Sequence, residues 1–511
     1  MNRNREAAIG LAAALIAAVT LLTECVRGQR QAPPAPRSRP NIVLILTDDL
    51  DRNLGTIDKM PKLKEDLAGT GITFPNMFVS ESLCCPSRSS IQRSQYIHNH
   101  QVFGNNAPDG GFEKFHAQRL EDSTIGTWMK AAGYRTGFMG KYLNGYPDTA
   151  AKNYVPPGWD EWSSPAAGNP YSEFNYTMNE NGNLVQYGNT ADDYMTDVLS
   201  RKANAFIQQT GSDKRPFFLF VATYAPHQPA TPALKYANAF QGEQAPRPPS
   251  YNEADVSDKP DWIKSKPVLG EPAQRQMDNL MRRRMQTMLS VRDLVEGVVD
   301  TLRKQGLLDN TYIIFTSDNG FHLGEHRLHA GKLTPYDEDI NVPLFVRGPG
   351  IRGGQERKEF VANIDLAPTI AELAGATVPD FVDGRSMVSL LRGETPERWR
   401  LAFLVEQEEQ HFNQGGPNRQ VLEPQDLMEQ ELAATQKRIP AYAALRTATH
   451  MYAVYSTGEK ELYDLTKDPY ELNNIINTAD KKLVEQLDKW LNEYRNCKGE
   501  GCRKIDSAPP K

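Results

Sequence analysis

The chain has 511 residues, of which 39% are hydrophobic and 24% are charged. This length can bury a large core and predicts two domains, and the composition is typical of a globular protein, not of a disordered or fibrous chain. The formal net charge of −6 argues against nucleic-acid binding, which favours a basic face. An anionic substrate would therefore need a local cluster of cations.

The first residues have the pattern of a secretory signal. Arg3 and Arg5 precede an apolar run over residues 7–22. We predict a signal peptide over residues 1–28, a flexible leader over residues 29–40, and an exported protein that is secreted, periplasmic or lysosomal. The apolar run is shorter than the roughly 20 residues of a membrane span, so no stable membrane span is expected. Retention of the run as a membrane anchor is the alternative.

Four apolar runs predict strands that are buried on both faces of a parallel sheet. They are residues 41–46, 134–139, 217–222 and 312–316. Helical patterns lie between the runs, at residues 123–132, 192–209 and 274–305. This alternation predicts an α/β domain in which helices flank a mostly parallel sheet.

Polar residues follow each of the four runs. They are Asp48, Asp49, Lys141, His227, Asp318 and Asn319. Because ligands bind beyond the carboxyl ends of such strands, we expect these side chains to meet at one edge of the sheet. Two long segments rich in Gly, Pro and aromatic residues, 146–189 and 229–272, are interpreted as walls of a substrate cleft, with a disordered surface insertion as the alternative.

The chain after residue 395 has shorter elements. Strand-like pieces at 442–445 and 451–455 and a helical pattern at 480–494 predict a smaller α+β domain over residues 396–505, after a catalytic domain over residues 41–395. Cys497 and Cys502 are close enough in sequence to close a small disulfide loop in an exported protein. Cys84 and Cys85 are then left without an obvious partner.

The acidic pairs indicate a metal site. Asp48, Asp49, Asp318 and Asn319 offer hard oxygen ligands, which suit calcium or magnesium better than zinc. The alternatives are a helix cap for the first pair and a turn for the second. Two such pairs that end separate apolar runs without basic neighbours favour a metal, and the residues themselves do not separate calcium from magnesium.

Residues 82–90 predict a turn that enters a helix, with Pro86 in its first turn. A side chain at this point faces free N–H groups, and Arg88 can bind an anion there. The alternative is a buried helix start with two structural thiols. Lys141, His227 and Lys332 have little significance singly, but together with Arg88 they would supply the cations of an anion pocket.

Residues 84–88 match the Cys-x-Pro-Ser-Arg signature of the type I, formylglycine-dependent sulfatases. Other motifs resemble that family in order and approximate spacing, over residues 40–500. They are residues 41–49, 140–144, 225–227, 317–320, Lys332 and 462–469. The Gly-Lys-Tyr-Leu-Asn form of residues 140–144, residues 96–100 and the pair Cys497 and Cys502 look most like N-acetylglucosamine-6-sulfatases and extracellular heparan endosulfatases.

The resemblance implies an alkaline-phosphatase-like fold and hydrolysis of sulfate esters, such as the 6-O-sulfate of N-acetylglucosamine or of another sulfated carbohydrate, or an aryl sulfate. It implies that a formylglycine-generating enzyme oxidises Cys84 to formylglycine (3-oxoalanine), whose gem-diol attacks sulfur to give a sulfo-enzyme. One calcium ion would be bound by Asp48, Asp49, Asp318 and Asn319 and would contact the modified Cys84.

The remaining site residues follow from the same resemblance. Arg88 and Lys141 would orient the diol, and His227 and Lys332 would hold sulfate oxygens or protonate the departing oxygen. Lys141, His227, His322 and Lys332 are the expected substrate-binding residues.

Two departures from the family pattern affect these expectations. Leu143 occupies a position where many sulfatases have a histidine, so the base is open, with His322, His98 and Asn144 as candidates. The family also follows its signature with Leu-Thr-Gly, whereas residues 92–94 are Gln-Arg-Ser, so conversion of Cys84 could be incomplete. The alternative functions are a phosphate mono- or diester hydrolase of the same fold and a catalytically inactive, secreted protein that binds sulfated glycans.

Overall fold

A computed structural model describes residues 39–209, 213, 215–409 and 438–510. The predicted signal peptide and all but the last two residues of the predicted leader lie outside the described residues. Within the described ranges, no helix combines the length and the apolar character that crossing a membrane requires.

The strands of the described residues are β1 Asn41–Thr47, β2 Ile72–Thr73, β3 Met77–Phe78, β4 Arg135–Gly140, β5 Glu161–Gly168, β6 Tyr176–Glu180, β7 Asn183–Tyr187, β8 Phe217–Ala222, β9 Thr311–Ser317, β10 Leu344–Arg347, β11 Gln355–Glu356, β12 Val361–Ala362, β13 Ala402–Gln407, β14 Tyr442–Thr447, β15 His450–Tyr455 and β16 Lys460–Asp464. The α-helices are α1 Pro61–Asp66, α2 Cys84–Arg93, α3 Ile97–His100, α4 Gly111–Ala117, α5 Ile125–Ala131, α6 Met195–Gln209, α7 Asp261–Lys264, α8 Glu271–Lys304, α9 Asp337–Ile340, α10 Leu366–Ala374, α11 Val388–Leu391, α12 Lys481–Tyr494 and α13 Glu500–Ile505. Short 3₁₀ helices include Pro170–Ser172 and Asn363–Asp365.

A ten-stranded mixed sheet forms the centre of the fold, in the order β11-β2-β10-β9-β1-β8-β4-β5-β6-β7. Its five central strands, from β9 to β5, pair in parallel, whereas β10, β6 and β7 pair antiparallel to their neighbours. The four apolar runs of the sequence are β1, β4, β8 and β9. The predicted α/β fold, with a sheet flanked by helices, is confirmed.

Strand β1 lies in the middle of this sheet, and all seven of its residues are buried. Its side chains alternate between two cores, as the geometry of a strand requires. Leu44 packs in the core that includes Trp128 of α5, whereas Val43 packs in the core that includes Val295 of α8. A strand that faces helices on both sides is apolar throughout, which explains the uninterrupted run in the sequence.

The segment 146–189, interpreted from sequence as a cleft wall made of loop, contains three strands. Strands β5, β6 and β7 extend the sheet to its edge. Asn181 and Gly182, with φ of 52° and 90°, form the tight turn between β6 and β7. Asn-Gly is the dipeptide that such hairpin turns favour, so the sequence contained a hairpin signal that the loop interpretation missed.

The C-terminal subdomain is a four-stranded antiparallel sheet, in the order β13-β14-β15-β16, with α12 packed on it. Leu404 packs in a core with Trp490 of α12, whereas its neighbour Phe403 packs in the same core as the large sheet. Cys497 and Cys502 form a disulfide. The smaller C-terminal unit therefore shares one of its faces with the main core.

Candidate active site

The ends of four parallel strands place the polar residues singled out from the sequence. Asp48 and Asp49 follow β1, and Asp318 and Asn319 follow β9, its direct neighbour in the sheet. Lys141 follows β4 and His227 lies five residues after β8, on the other side of β1. All six residues are buried, and the contacts below bring them together.

The two acidic pairs join each other directly. The Asp49 amide donates to Asp318 Oδ1 at 3.1 Å, and the Asn319 amide Nδ2 donates to Asp49 Oδ1 at 2.7 Å. These contacts hold Asp49 at φ 63°, in the left-handed region that side chains other than glycine rarely adopt. Because β1 and β9 pair in parallel, residues that are 269 positions apart in the chain come into contact.

Cys84 begins α2 and is fully buried. Its Sγ lies 2.9 Å from Lys332 Nζ, 3.5 Å from Asp48 Oδ1 and 3.9 Å from Asp49 Oδ1. Burial, followed by the charge of Asp48, raises the pKa of the thiol well above its usual range. An unmodified Cys84 is therefore a neutral thiol at neutral pH and a weak nucleophile.

Each of the three carboxylates has its own cation. Lys141 Nζ donates to Asp48 Oδ2 at 2.6 Å, and Lys332 Nζ donates to Asp49 Oδ1 at 2.7 Å. Arg88 Nε donates to Asp318 Oδ2 at 2.8 Å, and its Nη1 donates to the Lys141 carbonyl at 2.7 Å. The cations that the sequence could place only one by one thus form one cluster around Cys84.

His227 is neutral in this environment, because burial lowers its pKa to about 3 against the opposing charge of Asp49. Its Nδ1 donates to the Gln228 carbonyl at 2.6 Å. Nε2 is therefore the unprotonated nitrogen, 3.4 Å from Lys332 Nζ and 3.4 Å from Asp49 Oδ2. The imidazole can accept a hydrogen bond from Lys332 or bind a cation.

Two of the carboxylates have shifted pKa values in opposite directions. Burial would raise the pKa of Asp49, but the charges of His227, which is protonated at the low pH where Asp49 titrates, and of Lys332 outweigh it and hold this pKa well below its usual range. Burial, reinforced by Asp48, raises the pKa of Asp318 to about 6. The cluster thus concentrates strongly interacting charges in a buried place, which is typical of functional sites.

The donor atoms fit a hard cation. Ligand atoms of Asp48, Asp49, Cys84 and His227 all lie within 4.8 Å of one another. Within the described residues, Asp49 Oδ2 and Asn319 Oδ1 are buried without a hydrogen-bond partner. A buried carboxylate oxygen without a donor is costly, and a cation would satisfy both oxygens. The clustered atoms include the Cys84 sulfur and a His227 nitrogen, and the oxygens of Asp48, Asp49 and Asn319 are the ligands that suit calcium or magnesium.

The candidate bases lie differently. His98 is bound on both nitrogens, at 2.7 Å to Glu406 and at 2.9 Å to the Cys497 carbonyl, and His322 binds Asp339 at 2.9 Å through Nδ1. Among the contacts that the structure describes, neither histidine touches Cys84.

Leu143 and Asn144, which follow Lys141 in the chain, do not touch the Cys84 thiol in any described contact either. Leu143 packs in the main hydrophobic core. The Asn144 amide donates to the Tyr171 hydroxyl at 3.3 Å. Lys332 is therefore the polar side chain in closest described contact with the Cys84 thiol.

Sequence reasoning missed Tyr171, Tyr224 and Arg284. The Lys141 ammonium lies 4.8 Å and 5.9 Å from the ring centroids of Tyr171 and Tyr224. Arg284, fully buried on α8, donates to the carbonyl of Asp49. The signal for Tyr171 was its place in the aromatic-rich segment 146–189. An arginine in a helix gives no comparable signal.

Comparison with known proteins shows the family of this chain. The family model described as Sulfatase matches residues 40–376. N-acetylglucosamine-6-sulfatase of Homo sapiens is 38% identical over 479 residues, which cover 91% of this chain and 86% of that protein. The extracellular sulfatase SULF-1 homologue of Drosophila melanogaster is 38% identical over 387 residues, which cover 74% of this chain and 34% of that protein.

Solved structures share the fold. A protein in complex with its substrate D-glucosamine-2-N,6-O-disulfate superimposes with a TM-score of 0.71 at 23% identity, covering 92% of this chain and 99% of that one. A phosphonate monoester hydrolase of Agrobacterium radiobacter superimposes with a TM-score of 0.67 at 21% identity, covering 89% and 95%. Because the family model spans most of the chain and curated relatives match it along nearly its whole length, this chain belongs to the sulfatase family of sulfuric ester hydrolases.

Proposed function

We propose that this sulfuric ester hydrolase removes 6-O-sulfate from N-acetylglucosamine or from another sulfated carbohydrate. The observation that supports it most is the position of Cys84, whose Sγ lies between Lys332 and the oxygens of Asp48 and Asp49. Substrate choice is supported by the name of the relatives that are 38% identical over 91% of the chain.

Calcium is the proposed metal, held by Asp48, Asp49, Asp318 and Asn319 beside residue 84. The partnerless oxygens of Asp49 and Asn319 support this assignment. The bound ion would supply positive charge to the sulfate oxygens. Arg284 and Asp318 bind the backbone of Asp49 and so keep its carboxylate directed at the same place.

Formylglycine, made from Cys84 by a formylglycine-generating enzyme, is the proposed nucleophile, and its hydrated aldehyde supplies a hydroxyl where an unmodified thiol is inert. The position at the start of α2 suits an anionic substrate, because the positive end of the helix dipole lies there. Residues 92–94 depart from the family pattern but are all buried, and Arg93 Nη1 donates to the carbonyls of Leu120 and Ser123.

Lys332 and His227 are the proposed proton-donating pair. Lys332 contacts both the Cys84 position and His227 Nε2. Since His227 is neutral, the proton for the departing sugar oxygen comes from Lys332, and His227 Nε2 accepts a hydrogen bond that orients the Lys332 ammonium. The Lys141 ammonium lies over the Tyr171 ring, pairs with the negative charge of Asp48 and orients the nucleophile.

Mass spectrometry of the peptide that contains Cys84, combined with turnover of an aryl sulfate, tests the mechanism. We expect formylglycine at residue 84 and loss of turnover in Cys84→Ala. Cys85→Ala is the matched control, because Cys85 packs in the main hydrophobic core and is not needed for the chemistry. An active preparation in which residue 84 is an intact thiol would refute the proposal.

A panel of sulfated sugars tests the substrate. We expect release of sulfate from N-acetylglucosamine-6-sulfate to exceed release from the 3-O- and N-sulfated sugars. Comparison of a monosaccharide with a polymer separates exo from endo action. Equal rates on all positions would contradict the 6-O assignment.

Phosphate ester hydrolysis is the second candidate, and the shared fold of the phosphonate monoester hydrolase favours testing it. Rates on an aryl sulfate and on the matched aryl phosphate decide between the two. Tight binding of a sulfated oligosaccharide with no release of sulfate would instead indicate a binding protein.

Export of the protein is also proposed. It is supported by the disulfide and by the extracellular sulfatases among the relatives.

A further inference from the structure

Lys332 lies in a segment that forms neither helix nor strand, although its ammonium must be placed accurately against Cys84. A lysine side chain is a flexible stem of four methylene groups, so an accurately placed ammonium needs a backbone that other contacts fix. The carbonyls of Leu333 and Thr334 accept hydrogen bonds from the Tyr442 hydroxyl and from Ser82 Oγ, each at 3.1 Å. Two further contacts, one on each side of Lys332, involve the chain beyond Asn319 and helix α9.

The first contact is a backbone pair before Lys332. The His322 amide donates to the Gly331 carbonyl at 2.9 Å, and the Gly331 amide donates back to the His322 carbonyl at 3.1 Å. This reciprocal pair joins Gly331, the residue directly before Lys332, to the chain that follows Asn319.

The second contact runs through Asp339, a fully buried residue of α9. Asp339 Oδ1 accepts a hydrogen bond from His322 Nδ1 at 2.9 Å. Its Oδ2 accepts from the Thr334 amide at 2.9 Å and from Thr334 Oγ1 at 2.7 Å. One carboxylate thus binds both His322, which is paired with Gly331, and Thr334, two residues after Lys332.

The same helix also contacts the acidic loop. The Gly320 amide donates to the Asp339 carbonyl at 2.8 Å, and Gly320 follows Asn319 directly. Asp339 therefore connects two segments, one that presents Lys332 and one that presents Asp318 and Asn319.

We propose that Asp339 is a positioning residue that sets the distance between the Lys332 ammonium and the reacting group at residue 84, with His322 as its partner and not as a base. Asp339 acts through Lys332 and touches neither the thiol nor the carboxylates among the described contacts. The kinetic part of this inference rests on the proposed function. Displacement of a catalytic group by about 1 Å can cost about 100-fold in rate.

A double-mutant cycle measures this coupling. We expect Asp339→Asn to lower kcat for an aryl sulfate about 10- to 100-fold in the wild-type background but less than about twofold in a Lys332→Met background. A purely structural role would lower both by the same factor, and that result would overturn the proposal.

Asp337→Asn is the matched control. Asp337 lies on the same helix and is a hydrogen-bonded carboxylate too, but its partner is Arg446, at 2.8 Å and 2.7 Å. We expect it to change kcat by the same small factor in both backgrounds. Thr334→Val removes the hydrogen bond from the Thr334 hydroxyl to Asp339 and serves as the milder variant if Asp339→Asn does not fold.

Hydrogen exchange of residues 331–334 gives a readout that does not depend on activity. We expect faster exchange of the Gly331 and Thr334 amides in Asp339→Asn and in Thr334→Val, but wild-type exchange in Asp337→Asn. Unchanged exchange in both Asp339→Asn and Thr334→Val would overturn the proposal even if the enzyme proves to be a sulfatase. Faster exchange in these variants, together with no sulfate turnover by the wild type, would refute the proposed function. It would leave in place the inference that Asp339 fixes residues 331–334.

Discussion

Asp49 shows how single residues hold this site together. Its backbone adopts φ 63°, and its amide and carbonyl are bound by Asp318 and Arg284. Its carboxylate accepts from Asn319 and Lys332 through one oxygen, while the other oxygen has no donor among the residues that the structure describes. A non-glycine residue persists in this region only when its surroundings fix it, and such residues are frequent at active sites.

Tyr171 supports the Lys141 ammonium through its ring. We expect Tyr171→Leu to lower kcat/KM for an aryl sulfate by up to about 30-fold, because a desolvated cation–π contact contributes roughly 2 kcal/mol. Tyr171→Phe keeps the ring and should stay within about twofold of the wild type. Equal losses in the two variants would show that the hydroxyl, which accepts from Asn144, is the important group.

Glu173 makes stability depend on pH. It is buried, pairs with no cation in the described part of the chain and accepts two hydrogen bonds from Thr196, and burial raises its pKa from 4.5 to about 8. Because this pKa is raised, the stability it contributes is complete below pH 4.5 and is lost as the pH rises towards 8. The loss is about 1.4 kcal/mol for each pH unit within this window.

Urea unfolding at several pH values checks this expectation. Glu173→Gln cannot ionise, so its stability relative to wild type should rise steadily between pH 5 and pH 8. Glu180→Gln, in the neighbouring strand and paired with Lys202, is the control and should give a difference that is flat over this range. A flat difference for Glu173→Gln as well would mean that this carboxyl is already charged at pH 5.

Sequence reasoning predicted those site residues that end apolar runs, because a strand buried on both faces identifies its own carboxyl end. Asp48 and Asp318 are found in this way. Tyr171 and Arg284 act through contacts made only after folding, so their spacing in the chain contains no information. His98 was a candidate base by its residue type, but both of its ring nitrogens are hydrogen-bonded, to Glu406 and to the Cys497 carbonyl.

At the scale of elements, prediction worked for the parallel centre of the sheet and failed at its edge. Strand β7 has four of five residues exposed, so it lacks the apolar pattern on which strand prediction relies. The turn at Asn181 and Gly182 was the better signal there. The β13–β16 sheet was predicted only in pieces, because the residues between β13 and β14 separate its strands widely in sequence.

Arg400 joins two elements through a buried ion cluster. Its guanidinium donates to both oxygens of Asp365, at the start of α10, and to Asp506, just after α13, at 3.0 Å. We expect Arg400→Met to destabilise the protein by about 3–5 kcal/mol, since it removes the cation that binds both oxygens of the buried Asp365 and leaves Asp506 with Arg385 alone.

The midpoint of urea unfolding measures the effect of Arg400→Met. Arg357→Met is the control, because Arg357 pairs with the less buried Glu359 near the surface. A loss below about 1 kcal/mol for Arg400→Met would show that the cluster contributes little to stability.

At the scale of the whole molecule, ligand binding and folding are linked. The proposed calcium ligands come from β1 and β9 at the centre of the sheet, so the ion would bind only the folded chain. Binding would then stabilise it by about 2.7 kcal/mol when free calcium is 100 times its Kd. We expect a chelator to lower Tm and calcium to restore it.

Asp49→Asn should remove most of the calcium-dependent rise in Tm. Asp58→Asn makes the same change of charge at an exposed position, paired with Lys64, and should keep the full rise. If calcium raises the Tm of both variants equally, the ion binds elsewhere.

The pairing of three carboxylates with three cations leaves the pocket electroneutral before any ligand arrives. Arg88 is anchored by the Lys141 carbonyl, but the ammonium groups of Lys141 and Lys332 end flexible stems. A divalent ion that takes over the oxygens of Asp48 and Asp49 would release both ammonium groups from these carboxylates, while Lys141 stays over the Tyr171 ring and Lys332 beside residue 84. Binding of the metal would then, in the same step, turn two lysine charges from the carboxylates towards an incoming anion. The anion pocket would therefore be complete only when the metal is bound.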